Sequence, residues 1–314
     1  MRSHSLAIVL GCVFLAASAG RTADPEFGSF WHDGKAELDG YRLTMLRYGQ
    51  PRAGQAVMVF VTEPFRQGAR VKADDPSRNP ADVFDAFKLN LVRDFQTGIY
   101  DYNTMVSLFV RSDTFAPVKV SFSSAEWCGH VYEELLLDPN RIRHQLSSYF
   151  EGETIAGTLP RPAGGMLEDE LFVRLRGLRG DFLEPGQKRT LPFLPGTFYR
   201  RMTHQGATWS TTVIERLAAP RRLEVPAGTF SASEYVVRVA DGREGRFDVE
   251  PAYPHRIVKW SWTPPRGVAP EHWLGGADSG ELTGSARLKY WNLHANGDER
   301  YLEQLGLAPT VARR

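Results

Sequence analysis

Cys128 is the best-placed nucleophile in this chain. It sits in Ser123-Ser-Ala-Glu-Trp-Cys-Gly-His-Val-Tyr-Glu-Glu-Leu-Leu136, directly after a strand-like Pro117-Val-Lys-Val-Ser-Phe122. Ser123 with Glu126 three residues later matches a capping box, and Trp127, Val131 and Leu135 recur at i, i+4 and i+8. This spacing predicts a helix whose first turn carries the cysteine. A thiol there has its thiolate stabilised by the helix dipole and free N–H groups. Dithiol exchange needs a resolving cysteine, but Val131 stands in that position. A thiol nucleophile needs a base, and His130, two residues on, points elsewhere on a helix. His144, His204, His255, His272 and His294 are the alternatives, and no spacing singles one out. In the third reading, Cys128 is a small hydrophobe shielded beneath Trp127 where the helix docks.

Other reaction chemistry is sparser. The histidines show no H-x-x-x-H or H-E-x-x-H spacing, so no metal site is expected. Gly275 to Gly280 lacks the lysine and the strand–helix setting of a phosphate loop, and no G-x-S-x-G elbow occurs, so no cofactor is expected either. Glu133, Glu134, Glu168, Asp169 and Glu170 fall on predicted helices, where solvated faces and caps account for them, and Glu250 near His255 reads as a solvated loop pair. Aromatic side chains are the remaining resource. Alternation places Trp260 and Trp262 with Val258 on one strand face, and Trp291 follows in the same third of the chain. These three are the candidate ligand-binding residues, acting by burial of apolar surface rather than by bond chemistry. Packing of the same rings into a core is the competing expectation.

Period-two alternation must position these groups. Tyr41–Tyr48, Gln55–Val61, Phe87–Val92, Thr104–Val110, Val118–Phe122, Thr208–Ile214, Glu234–Val239, Arg256–Trp262 and Ala286–Leu293 read as strands rich in β-branched and aromatic residues. Turn signals at Tyr48-Gly49, Pro226-Ala227-Gly228 and Asp241-Gly242 separate some of them by hairpin lengths. The expected fold is mainly β: a large curved antiparallel sheet or open barrel with one or two packed helices. The second helix is predicted over 166–178, with Leu167, Leu171, Leu175 and Leu178 along one side. It joins two halves, 27–160 and 186–296, of a single β-rich domain spanning 20–314. A short helix near Asp298–Leu307 docks outside, and 74–82 and 263–280 are long loops.

Arg2 followed by the apolar run Leu6–Ala19, ending in Ala17-Ser18-Ala19, predicts a signal peptide over 1–19 and export to the periplasm or cell surface. Val9-Leu10-Gly11-Cys12 is a weaker, lipobox-like alternative. No later stretch is long and apolar enough to form a transmembrane helix. Removal of the leader leaves Cys128 as the one cysteine, so stability must come from the core. With 38 Lys+Arg against 37 Asp+Glu, and no basic block, a nucleic-acid partner is not expected.

Two resemblances bear on these readings. Trp127-Cys128-Gly129 is similar to a thioredoxin active site that has lost its second cysteine. Arg221–Trp260 resembles a family of exported bacterial β-sheet proteins of unknown function. The shared residues are the Val225-Pro-Ala-Gly-Thr-Phe230 turn, then Tyr235, Val237 and Pro254-His255-Arg256. That resemblance implies a large curved sheet in the cell envelope and brings no catalytic residues. Three functional expectations stand together: a non-catalytic protein binding an apolar or amphiphilic ligand or an envelope protein on its sheet, an exported enzyme using Cys128, and a structural envelope component.

Overall fold

The computed structural model describes residues 25–265 and 277–309. The 1–19 leader with Cys12, and the part of the 263–280 loop holding His272 and Trp273, lie outside them. From its beginning the chain runs as a meander: β1 (Ala36–Arg47), β2 (Gln50–Arg66), β3 (Val83–Thr97), β4 (Tyr100–Arg111), β5 (Pro117–Glu126), β6 (Gly129–Leu137), β7 (Arg141–Ser148) and β8 (Ile155–Pro160). After residues 161–165 come β9 (Met166–Leu167), β10 (Lys188–Leu194), β11 (Ser210–Arg216), β12 (Arg221–Val225), β13 (Gly228–Val239), β14 (Glu244–Val249), β15 (Ile257–Thr263) and β16 (Ala277–Leu288).

One sheet contains them all. Its order is β8 through β1, then β16 back through β13 to β11, β10 and β9, with β12 paired to β13. The first and last strands therefore meet in the middle, with Ala36 opposite Leu288 and Leu46 opposite Ala277. Both free edges belong to the middle of the chain. Every pairing is antiparallel except that of β9 with β10.

Alternation explains the faces. Tyr41, Leu43 and Met45 of β1, Met58 and Phe60 of β2, Leu89 and Leu91 of β3, and Val258, Trp260 and Trp262 of the β15 region share one inner core. The short helices α1 (Pro25–Trp31), α2 (Leu171–Arg174) and α3 (Thr197–Thr203) supply inward side chains to it, among them Phe27, Leu171 and Phe198. Outside, a 3-10 helix over Asp298–Leu305 docks through Leu305. Gly40 and Gly284 make that approach possible, because a Cβ on either would run into backbone near Leu305.

Two predicted helices are corrected. Ser123–Leu136 is not a helix: Glu126 pairs with Gly129 across a tight turn at Trp127-Cys128, and the segment forms the β5–β6 hairpin. Val131 and Leu135 are four residues apart, a spacing that satisfies a helix face and a strand face equally. Cross-strand partners in β4 and β7 decide for the strand. The 166–178 segment is α-helical only over Leu171–Arg174, after a 3-10 turn at Glu168–Glu170. Its four leucines are buried as the spacing predicts, but Glu168, Asp169 and Glu170 are buried with them rather than solvated.

Candidate functional site on the outer face

Cys128 and His130 do not form a site. With no helix, the dipole that would stabilise a thiolate is gone. Cys128 and Trp127 are both exposed, so the expectation of a shielded thiol is also overturned. Neither the Cys128 nor the His130 side chain makes a hydrogen bond among the described residues. His144 and His204 each bind a different group, the carboxylates of Glu133 and Glu153, at 2.7 and 2.6 Å.

Trp260 and Trp262 lie in a filled interior. The Trp260 ring packs at 4.7 Å against Tyr41 and at 5.4 Å against Phe172, and its Nε1 donates to Asp278 Oδ2 at 3.1 Å. Beside Trp262, the void between Phe172, Phe198 and Asp278 measures only about 20 Å³, too small for any ligand. Buried ion pairs lie in the same interior. Arg93 meets Asp278 at 3.1 Å, Arg176 meets Glu37 at 2.7 Å and Arg243 meets Glu168 at 3.0 Å. Glu133, read from sequence as solvated, instead binds Arg200 and His144. Despite burial, the Arg200 charge and the hydrogen bonds from Arg200 and His144 hold its carboxyl below the ordinary range. Glu250 is likewise buried against Arg256, at 2.5 Å. Asp169 accepts from the Thr197 backbone N–H and hydroxyl, and burial pushes it up to about 6. Each group is spoken for structurally, and the inner face has no opening at Trp260 or Trp262.

Trp291 is elsewhere. It stands half exposed beside a cleft of about 540 Å³ on the outer face of β2 to β5. Phe65 and Phe109 form its floor, stacked at 4.8 Å. Tyr290 and Trp291, ring centres 5.5 Å apart, form one wall on the 3-10 turn that follows β16. The other wall is the return after β2. Arg66 N–H donates to Val71 O at 2.7 Å and Ala73 N–H to Pro64 O at 2.9 Å, which lays Val71 and Lys72 back along the strand. Arg70 makes this return with a left-handed φ of 57°.

Three ammonium groups ring the cleft. Lys88 pairs with Glu63 at 3.0 Å and Lys119 with Glu134 at 2.6 Å. Lys72 is exposed and enters no ion pair among the described residues. Partial burial raises the Tyr290 phenol, Glu63 adds to this, and Lys72 opposes it. An apolar aromatic floor of this volume with cationic groups at the rim suits a molecule having a tail and an anionic end. Phe65, Phe109 and Lys72 were not legible as site residues. Phe109 reads as one more apolar residue in a strand, and the return that carries Lys72 has no periodic signal.

No family model and no curated protein sequence matches the chain. Among solved structures, it is similar to a β-barrel-like protein of the domain of unknown function DUF1849 from Brucella abortus. That match has 10% identity over 81% of this chain and 98% of the other, with a TM-score of 0.45. It is also similar to a DUF1089 family protein from Pseudomonas aeruginosa, at 13% identity over 55% of this chain and 82% of the other, TM-score 0.34.

Proposed function

We propose that this is a non-catalytic, exported envelope protein that binds an anionic amphiphile in the outer cleft. The observation that carries this reading is the open aromatic cleft with cations at its rim, set against an interior packed closed around Trp260 and Trp262. The tail lies over Phe65, Phe109 and Trp291, and the head group meets Lys72, the one rim cation without a carboxylate partner among the described residues. Export rests on the Leu6–Ala19 run and its small-residue end. The thiol-enzyme reading has no support from geometry, since Cys128 has neither helix nor base.

Titration with dodecanoate below its micelle concentration, followed by calorimetry, tests the reading. Saturable binding is expected, weakened about tenfold by Trp291→Ala and similarly by Lys72→Glu, from lost apolar burial and a reversed charge respectively. Equal affinity in all three proteins, or no binding by the unaltered chain, rejects the cleft as the site.

A further inference from the structure

The three most exposed large apolar side chains among the described residues are Ile99 at 79%, Trp127 at 68% and Tyr149 at 66%. All three lie in hairpin connections at one end of the sheet: β3–β4, β5–β6 and β7–β8. Tyr48, 46% exposed, occupies the β1–β2 turn at the same end. Strands β1, β3, β5 and β7 all run toward this end, because each neighbouring pair is antiparallel. Adjacent tips are two strands apart, about 10 Å, so the four form a row about 30 Å long.

The tips are held outward rather than left loose. Trp127 Nε1 donates to Asp101 Oδ1 at 2.8 Å, and its ring lies 6.4 Å from Tyr100. The Tyr149 ring packs onto Gly129, where any Cβ would overlap it. Tyr48 is tied back into the fold, its hydroxyl 3.0 Å from that of Tyr102 and its ring under Arg47 at 4.4 Å, whereas most of the Ile99, Trp127 and Tyr149 side chains is left in water.

We propose that this end of the protein rests on the surface of a lipid bilayer, with Ile99, Trp127 and Tyr149 entering the headgroup layer. Tryptophan and tyrosine suit that layer because their rings are apolar while their N–H and O–H groups keep polar partners, as the Trp127 N–H does in Asp101. A protein partner would be met by a compact, shape-matched centre. Here the apolar points stand singly on separate turns, and a bilayer takes such points without any matching shape. The flanking charges are mixed: Arg52 beside one tip, Asp101 and Glu151 beside others. Attachment therefore comes from apolar burial and does not require anionic lipid. This inference is independent of the cleft, which opens near the opposite ends of β3 and β5.

The test is flotation with phosphatidylcholine vesicles. The unaltered chain is compared with Ile99→Ser, Trp127→Ser, Tyr149→Ser and the triple variant, all of the same length so that the Leu6–Ala19 run contributes equally. Each side chain is exposed, and unchanged circular dichroism verifies folding. The expected result is a three- to tenfold loss of vesicle binding for each substitution, with the triple variant near background for that chain length, and less than a twofold change between low and high salt. Equal flotation of the triple variant, or binding that vanishes with salt, overturns the proposal. So does an unaltered chain that ignores vesicles but self-associates through these residues, which would assign the row to a second copy of this chain.

Discussion

Trp260 and Trp291 belong to the same third of the sequence and meet opposite fates. Trp260 is sealed between Tyr41, Phe172 and the Arg93–Asp278 pair, with its indole N–H satisfied inside the sheet. Trp291 stands half in solvent on the outer face, next to a cleft floored by phenylalanine. Around Trp260 the inner face has exchanged its space for packing and ion pairing, whereas the cleft beside Trp291 has kept volume and a cation, Lys72, that enters no ion pair among the described residues. An aromatic residue thus reports a site only when something prevents its neighbours from closing over it. On the outer face that something is sparse cover: among the described residues, the return after β2, the turn at Tyr290–Asn292 and the terminal 3-10 helix lie over it as separate segments.

The sharpest way to break the inner face is through its charges. Arg176→Met leaves Glu37 buried without its partner, and unfolding by denaturant should show a loss of about 3–5 kcal/mol. Adding Glu37→Leu should recover most of it; an equal loss in the double variant would mean that the Arg176 bonds to Pro254 O and His255 O carry the effect. Asp169 makes a pH-dependent version of the same point. Burial raises its folded pKa to about 6, so its favourable contribution is complete below about pH 4 and is lost as pH rises through 6. Relative to Asp169→Asn, the unaltered protein should lose about 3 kcal/mol across that window. Parallel pH curves for the two proteins would show that Asp169 does not titrate there.

Smaller effects sharpen the contrast. Gly280 lies directly behind the Trp260 ring, which a methyl group there would overlap. Gly280→Ala should cost about 1–3 kcal/mol through overpacking, and a loss below the error of thermal melts would mean the inner face has slack. On the outer side, Trp291→Ala should change stability by less than about 0.5 kcal/mol while weakening amphiphile binding. A large fall in melting temperature would place Trp291 in the structural scaffold instead.

Much of the fold was legible. Alternating runs such as Gln55–Val61 and Thr104–Val110 lie in β2 and β4 because one buried face demands period two. Leu167, Leu171, Leu175 and Leu178 were correctly inward-facing even though most of their segment is not helical. The Ser123–Leu136 segment failed for an identifiable reason: its apolar residues recur at multiples of four, and Ser123 with Glu126 imitates a cap. Its two halves pair with each other across the Trp127-Cys128 turn and are held as strands by β4 and β7, whose contribution no pattern within the segment reveals.

By itself, the sequence determined the class of structure and much of the apolar inward set of side chains, because these depend on local period and composition. Tertiary structure decided which carboxylates are solvated, since Glu133 and Glu168 find Arg200 and Arg243 only when α3 and the β13–β14 turn are brought against β6 and the 168–170 turn. It also decided which tryptophan faces a cleft. A cleft is space left between segments far apart in the chain, here β2, β5 and the turn at Tyr290–Asn292, and its volume is set by how closely they approach.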